Sequence, residues 1–576
     1  MVSQEFGFGI RGQRLQNWRC NVNHRQIAIA ARQSKSFAKA SILWQSIKPN
    51  MRRSLLLSRL VSLCLWPCLA SLAQNSPVER GEIVARVHFV GFDQLKTSTN
   101  AATLSEIWDL PETSQLRAQI QDKLARSLAA SFQTGSNGPA ADTLALLRPL
   151  LEDLFRRESY VEVSKAEKDY RFTLAIHLAP ERVVLWETNF AGLLAAGKLH
   201  SPFGTNLLSY ATSQSWFVLA CRAGSTDGEG NSPAGLALLD RIKDKGRPIE
   251  ALRESLLKAE IDFARLKPAW RFVEDAKPTR LELTLAGKGA RVTAEARVEF
   301  AAPIQWKLEK WEIPTHTIND PQGSLISFTG LQGIAPWLSR QPVVRDLGLD
   351  PMPNQFFAWG DSHAPLQIHA AAPVKGVTNL LVKFGSEWVP KLNASLSRLS
   401  AGELEFRTNQ SQILWRGLPI MPFLRPAHEP RSEFVAGGIF PLDEMLTNPP
   451  PSELLEQLTG QTNLLYYDWE ITQDRLAQLR HLAVFLPLFL DLPNPEGTAA
   501  SYKWLDTIGS KLGNSVTEVS AASPKEVRIL RNSQIGFNGF ELMALAYWFE
   551  STNFPRMNFE VAFRPMFQPK REPAAR

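Results

Sequence analysis

The spacing of apolar residues divides the chain beyond about residue 80 into short strands and amphipathic helices. Alternation with a period of two predicts strands at residues 83–90, 170–178, 182–186 and 216–221. Recurrence every three or four positions predicts two helices, the first on Leu116, Ile120, Leu124, Leu128 and Phe132 and the second on Leu144, Leu147, Leu151 and Leu154. Because strands and helices both occur throughout, the pattern favours an α+β fold.

The clearest local prediction is a β-hairpin at residues 279–300. Three leucines from Leu281 to Leu285 alternate with polar residues, a Gly-Lys-Gly turn follows, and the alternation resumes from Val292 to Phe300. Such a hairpin has one buried and one solvated face, which is typical of antiparallel sheets.

Five segments recur in the same order later in the chain, and this predicts an internal duplication. The pairs are residues 88–92 with 327–331, 176–180 with 368–373, 212–215 with 408–411, 261–263 with 467–469, and the hairpin at 279–300 with residues 527–549. The alternative is that strand-turn-helix chains resemble one another generically. The predicted architecture is two similar halves, residues 74–310 and 311–560, each an antiparallel sheet packed with amphipathic helices. They would meet near residues 310–322.

This layout resembles that of large, uncharacterised exported bacterial proteins of unknown function that carry two duplicated β-rich halves. The resemblance covers most of residues 80–560 and rests on pattern rather than on a diagnostic motif. It implies the architecture, and it brings no catalytic residues with it.

The segment that begins at Met51 has the composition of a signal peptide. Arg52 and Arg53 precede an apolar stretch at residues 60–69, and Ser71-Leu72-Ala73 supplies small residues before a cleavage site at Gln74. Residues 51–73 are therefore predicted to be a signal peptide, and residues 1–50 an over-extended or disordered N-terminus. The mature protein would be exported to the periplasm, the envelope or the medium. The basic residues 561–576 are predicted to form a loose tail.

The charge distribution argues against a nucleic-acid partner. Residues 1–73 hold eleven of the 64 basic side chains and one of the 57 acidic ones, so residues 74–576 carry a net charge of −3. The cysteines are distributed in the same way, because only Cys221 lies beyond the leader. One cysteine forms neither an internal disulfide nor a cysteine zinc site, and a buried structural thiol is the favoured interpretation of Cys221.

The motifs of common enzyme classes do not occur in residues 74–576, and Gly7-Phe8-Gly9-Ile10-Arg11-Gly12, which matches G-x-G-x-x-G, lies upstream of the leader with no βαβ unit around it. Its histidines have no zinc-ligand spacing, and His177 and His369 are interpreted either as half-buried structural residues or as a functional pair in the two halves. Asp361-Ser362-His363 contains the residue types of a triad but lacks a nucleophile-elbow motif. Residues 227–238 resemble a calcium loop but have serine and leucine where glycine and the bidentate acid belong. No catalytic, cofactor-binding or metal-ligating residue is assigned, and no cofactor is predicted.

Two features leave the function open. Several carboxylates would form a hydrolase pair only if the fold set them at the right separation, namely Asp443, Glu444, Glu453, Glu456, Asp468 and Glu470. The apolar segment 482–492 is too short to span a bilayer and would form core, or the wall of a ligand pocket or partner interface. The leading prediction is a non-catalytic exported envelope protein that binds a partner or an apolar ligand, with no transmembrane segment in the mature chain. The alternatives are a secreted hydrolase with an unrecognised carboxylate-based site and a structural scaffold.

Overall fold

The computed structural model of the protein describes fifteen ranges between residues 82 and 555. They are residues 82–97, 100–132, 141–166, 169–196, 208–223, 236–252, 254–266, 277–315, 325–362, 368–399, 402–417, 421–429, 432–439, 452–490 and 499–555. The predicted N-terminal extension, the signal peptide and the basic tail lie outside these ranges.

The described ranges contain eighteen strands and fifteen helices. The strands are β1 (Glu82–Phe89), β2 (Ser159–Ala166), β3 (Asp169–His177), β4 (Leu208–Ser213), β5 (Trp216–Ala223), β6 (Ser255–Asp262), β7 (Pro278–Lys288), β8 (Arg291–Phe300), β9 (Leu325–Gln332), β10 (Gln355–Asp361), β11 (Ile368–Pro373), β12 (Glu403–Arg407), β13 (Gln412–Arg416), β14 (Phe423–Glu429), β15 (Ser432–Gly438), β16 (Leu464–Ile471), β17 (Asn514–Ser523) and β18 (Glu526–Ser533). The helices are α1 (Phe92–Lys96), α2 (Ala102–Trp108), α3 (Pro111–Phe132), α4 (Ala141–Arg156), α5 (Pro180–Ala196), α6 (Leu236–Lys245), α7 (Phe263–Leu266), α8 (Ala335–Leu338), α9 (Pro342–Asp346), α10 (Val377–Glu387), α11 (Val389–Leu399), α12 (Ser452–Gly460), α13 (Thr472–Leu490), α14 (Ala500–Gly509) and α15 (Gly539–Glu550).

The described strands form one continuous antiparallel sheet. Its order is β4-β5-β3-β2-β1-β6-β7-β8-β18-β17-β16-β9-β10-β11-β15-β14-β13-β12. The antiparallel pair β8–β18 joins the first eight strands to the rest. The α+β class and the antiparallel sheet predicted from the sequence are therefore confirmed.

The strand order of the second half can be compared directly with that of the first. Each of the first eight strands can be matched in chain order with a strand of the second half. The strands matched with β1–β8 are β9, β10, β11, β12, β13, β16, β17 and β18. Matched strands then have matched neighbours in the sheet, apart from one insertion. The insertion is the hairpin β14–β15, which lies between β11 and β13. The turns at residues 212–215 and 408–411, matched by sequence, do close the corresponding hairpins β4–β5 and β12–β13.

Two of the sequence pairs are out of register. The strand pairing places His88, Tyr467 and Gly330 in one row of directly opposed residues, and residues in such a row point to the same face of the sheet. Phe328 is two residues from Gly330 on β9, so His88 also shares a face with Phe328. The sequence match had set His88 against Ser327, which faces the other way. The pair 261–263 with 467–469 is also out of register, since Ile261 and Tyr467 lie on opposite faces. An error of one residue in the sequence match is enough to place two residues on opposite faces, because side chains alternate along a strand.

The face of the first half that carries Val161 and Leu174 is covered by the long helices α3, α4 and α5. Their buried side chains, which include Leu128, Leu151 and Trp186, form one apolar cluster with those strands. The opposite face is covered by α6, where Leu238 and Ile242 pack against Tyr160 and Trp216. The first half therefore has helices on both faces of its sheet.

The second half is covered less evenly. On one face, α12 and the extended segment around Trp311 pack against Phe328, Phe357 and Tyr467. On the other face, α13 lies against β9 and β16, and α10 lies against β12–β15.

Between β1 and β2 the chain forms four helices, including α3 and α4 with 22 and 16 residues. The described part of the corresponding β9–β10 connection forms only α8 and α9, with four and five residues.

Two predicted elements are wrong. Residues 182–186 belong to helix α5, because Pro180 begins the helix and Trp186 and Leu193 lie on one buried helical face rather than alternating. Residues 527–549 are strand β18 followed by helix α15, so the hairpin that corresponds to β7–β8 is β17–β18. Asn538 and Glu541 form a capping box at the start of α15, which is a helix signal that the sequence interpretation missed.

One outer strand of the described sheet is blocked by a side chain. Strand β12 pairs only with β13 in the described ranges, and Asn393 of α11 bonds to its open edge at Leu404. The Asn393 Nδ2 donates to the Leu404 carbonyl at 2.8 Å, and the Leu404 N–H donates to Oδ1 at 2.7 Å. The amide thus occupies the position of a neighbouring strand and protects the edge from other chains.

We expect Asn393→Leu to lower the free energy of unfolding by about 1–3 kcal/mol, because it leaves the Leu404 N–H and carbonyl without these partners. Hydrogen exchange at the Leu404 amide should become faster. Ser397→Ala, on the exposed side of the same helix, is the control. Equal protection of the Leu404 amide in both variants would show that Asn393 does not block the edge.

Candidate functional site

An apolar pocket opens on the sheet face of the second half, between α10 and the strands. Its volume is about 410 Å³, and it is lined from β10 to β15 and by Phe384 of α10. The aromatic residues of the lining are Phe356, Phe384, Trp415 and Phe423. The volume is within the range of small-molecule sites. None of the described residues of the lining carries a charged side chain, so this part of the pocket is suited to apolar groups.

The pocket floor includes two small residues, Ala370 of β11 and Gly437 of β15, which lie directly opposite each other. Ala358 of β10 and Leu424 of β14 continue this row on either side. A Cβ on Gly437 would lie 2.6 Å from the Phe423 carbonyl oxygen, so the close approach of β14 requires glycine there. The small residues set the floor back and create the depth of the pocket.

The corresponding face of the first half is filled. Its matched strands β2 and β3 carry Val161, Val163, Phe172 and Leu174, and helices α3, α4 and α5 bury them. In the second half the floor residues are smaller and the β9–β10 connection has only its two short helices in the described ranges. The pocket therefore lies on a face that is core in the first half.

Two apolar side chains at the pocket are exposed to solvent. Phe356 is 37% exposed and Leu424 is 40% exposed, and both contribute to the lining. Exposed large apolar residues grouped at a concave site are typical of binding surfaces.

A buried polar cluster lies on the same face, beneath α13 and α15. Asp468 and Glu470 project from β16 and are 7% and 2% exposed. The Thr329 hydroxyl donates to Asp468 at 2.7 Å, and the Gly539 N–H at the start of α15 donates to Glu470 at 2.7 Å. The position of Glu470 at a helix N-terminus favours its negative charge, but burial opposes it.

Burial governs the protonation of this cluster. Burial raises the pKa of Glu470, the Gly539 N–H lowers it and the nearby Asp468 carboxylate raises it, and the net pKa is about 7. Burial also raises the pKa of Asp468, against the hydrogen bond from Thr329. The same burial lowers the pKa of the Arg475 guanidinium, whose charge is partly restored by the two carboxylates. Glu470 is therefore a proton-exchanging group near neutral pH.

The cluster and the pocket share strand β10. Phe356, Ala358 and Gly360 alternate along one face of this strand, with Phe356 at the pocket. A Cβ on Gly360 would lie 2.7 Å from Gln478 Oε1, and that oxygen accepts a hydrogen bond from Arg475 at 2.6 Å. The glycine thus allows α13 to approach the sheet closely between the two sites.

The carboxylate pair has residue types suited to acid–base chemistry but is enclosed. Both side chains already accept hydrogen bonds within the protein, and helices α13 and α15 cover them. A substrate would reach them only after one of these helices moved. Of the other carboxylates considered, Asp443 and Glu444 and the side chain of Glu453 lie outside the described part of the protein, and Glu456 is exposed on α12.

The two histidines matched by sequence lie on different strands. His177 is the last residue of β3, with its ring 5.0 Å from that of Trp216, whereas His369 is the second residue of β11. His369 Nε2 lies 3.3 Å from Asp361 Oδ2. The two histidines therefore lie on corresponding strands but at different positions within them. His363 of the suggested triad lies outside the described ranges, and Asp361 instead meets His369.

Other sequence candidates also fall outside what the structure describes. These are most of the calcium-like loop, the side chain of Cys221, and the side chains of the apolar segment 482–492, although the backbone of residues 482–490 continues helix α13.

The sequence interpretation missed the pocket and the role of Arg475. The alanines at residues 370–372 and the glycines at residues 437–438 within strands were the available signal, since small residues in strand interiors mark close approach of a ligand or backbone.

In the described part of the chain, no group of three or more His, Cys, Asp or Glu side chains is arranged to hold a metal. None of the helices in the same ranges combines the length and apolar character needed to cross a bilayer. Comparison with protein families, with characterised proteins and with solved structures finds no match for this chain.

Proposed function

We propose that this protein is a non-catalytic exported protein that binds an apolar ligand in the pocket between α10 and strands β10–β15. The observation that carries the proposal is a pocket of about 410 Å³ with an apolar lining, on a sheet face that helices cover in the other half. Burial of apolar surface would supply the binding free energy.

We also propose an internal duplication whose two halves diverged, with the described pocket in the second half. The common strand order on both sides of the β8–β18 pair supports descent from one repeated unit, with the hairpin β14–β15 inserted later. On this view the first half kept a fully covered core and serves as the scaffold. The second half has a shorter β9–β10 connection and an exposed floor, and it serves for binding.

Export is the second part of the proposal. It is supported by the positive residues after Met51, the apolar stretch and the small residues before Gln74. An exported binding protein would meet its ligand in the periplasm, the envelope or the medium.

A secreted hydrolase is the second candidate, because Asp468 and Glu470 are adjacent carboxylates with raised pKa values. Their enclosure beneath α13 and α15 favours binding over catalysis. A purely structural scaffold is the third candidate, and the open pocket argues against it.

We expect Phe356→Ala to weaken binding of the uncharged dye N-phenyl-1-naphthylamine about tenfold, because truncation removes apolar contact area from the pocket wall. Fluorescence titration of the full chain measures this. Phe540→Ala is the matched control, since Phe540 is 66% exposed on α15 and does not line the pocket. Saturable binding that both variants retain unchanged, or no saturable binding at all, would contradict the proposed site.

A further inference from the structure

We infer that the ligand is a single linear hydrocarbon chain whose polar end stays in solvent. The inference rests on the proposed function, and it adds the chemical class of the ligand.

The first argument is the apolar character of the lining residues that the structure describes. Its side chains are those of Phe, Leu, Ile, Val, Pro and Ala, and the indole N–H of Trp415 is the one polar side-chain group among them. The floor strands β11 and β15 each pair on both sides, so their backbone N–H and carbonyl groups are used by the sheet. A polar group buried here would lose its hydrogen bonds to water without replacement. The buried part of the ligand is therefore hydrocarbon.

The second argument is size. The pocket volume of about 410 Å³ lies within the range of about 300–1,000 Å³ that is typical of sites for one small molecule. A single alkyl chain is a ligand of this size class, and a chain-length series measures how many of its methylene groups the pocket takes up.

The third argument is the shape of the entrance. Phe356 and Leu424 are partly exposed and also line the pocket, so apolar surface continues from the interior to solvent. A chain can lie along this surface while its polar end remains hydrated. Because the lining is uncharged, the sign of the polar end should have little effect on affinity.

The test is a chain-length series of n-alkyl carboxylates from about eight to about sixteen carbons, measured by displacement of N-phenyl-1-naphthylamine below the micelle concentration. Affinity should rise about fourfold with each methylene until the pocket is filled, and then level off. At one length, alkyl trimethylammonium and alkyl maltoside ligands should bind within a few-fold of the carboxylate.

Variants locate the chain. Ala370→Leu places a larger side chain on the pocket floor and should shorten the length at which affinity levels off; Ala372→Leu provides a second filling variant if the first fails to fold. Ala290→Leu, in the exposed β7–β8 turn, is the matched control.

Three results would overturn the inference while leaving the proposed function in place, because the dye would still bind at the pocket. They are affinity independent of chain length, affinity set by the polar group, and displacement of the dye by an amphipathic helical peptide but not by alkyl ligands. Loss of saturable dye binding itself would instead count against the proposed function.

Discussion

Replacing Asp153 by alanine is expected to lower the free energy of unfolding by about 3–5 kcal/mol. Asp153 lies on α4, is 4% exposed, and accepts hydrogen bonds from two residues of α5. Its Oδ2 receives Arg182 Nη2 at 2.6 Å and Nε at 3.0 Å, and the Trp186 indole N–H at 2.8 Å. The substitution would leave the buried Trp186 indole N–H without its acceptor and the partly buried Arg182 guanidinium without its carboxylate partner, with only the Pro149 carbonyl still accepting from Nη2.

Chemical denaturation of the full chain measures this effect. Asp122→Ala is the control, because Asp122 on α3 pairs with Arg148 at 2.7 Å where both side chains are well exposed, and such pairs contribute less than about 1 kcal/mol. Asp153→Asn should lie between the two, since the amide oxygen still accepts from Trp186. Equal losses for the alanine variants at positions 122 and 153 would mean that the Asp153 cluster does not hold α4 to α5.

The sequence predicted the elements whose signal is local. Leucines four residues apart predicted α3 because a long amphipathic helix repeats its signal over many turns. The hairpin β7–β8 was predicted because alternation and turn residues agree over about twenty positions. Residues 182–186 alone are rich in valine and aromatic side chains, which favours a strand, whereas the helix signal of α5 extends over Pro180–Ala196. The start of α15 is indicated by its capping box, a local signal that the sequence interpretation did not use.

The pocket could not be predicted because it depends on residues that only the sheet brings together. Ala370 and Gly437 belong to one row through the pairing of β11 and β15. The opening also depends on how few helical residues follow β9, and this matters only when the second half is compared with the first. Asp468 and Glu470 were candidates from their type, but their raised pKa values come from burial, against which the Gly539 N–H, 69 positions away, favours the charged form of Glu470.

The stability of the protein should depend on pH through Glu470. Its pKa is about 7 in the folded protein and 4.5 for an ordinary glutamate, so the folded state binds the proton more tightly. The stabilisation is complete below about pH 4.5 and is lost as pH rises towards 7, and it amounts to about 3 kcal/mol. Asp468, with its raised pKa, changes stability in the same direction. Glu158, Glu260 and Glu550 have lowered pKa values and act in the opposite direction at more acidic pH.

Glu470→Gln isolates the contribution of this residue. Glutamine is uncharged at every pH and its Oε1 can still accept from the Gly539 N–H, so it imitates protonated Glu470. The unfolding free energies of the two proteins should agree within about 1 kcal/mol at pH 4.5, and the variant should be more stable by about 3 kcal/mol at pH 8. Denaturant titrations between these pH values measure the difference.

The groups that face Glu470 decide whether this difference is realised. Asp468 lies on the same strand and opposes its ionisation, whereas Arg475 of α13 favours it. Arg531 of β18 forms an ion pair with Glu541 of α15 and donates a hydrogen bond to Thr517, so its charge is mainly balanced by Glu541 rather than by Glu470. Glu403→Gln on the exposed side of β12 is the control and should follow the wild-type curve. If the Glu470→Gln curve also runs parallel to the wild type from pH 4.5 to 8, Glu470 is ionised throughout that range and Arg475 outweighs its burial.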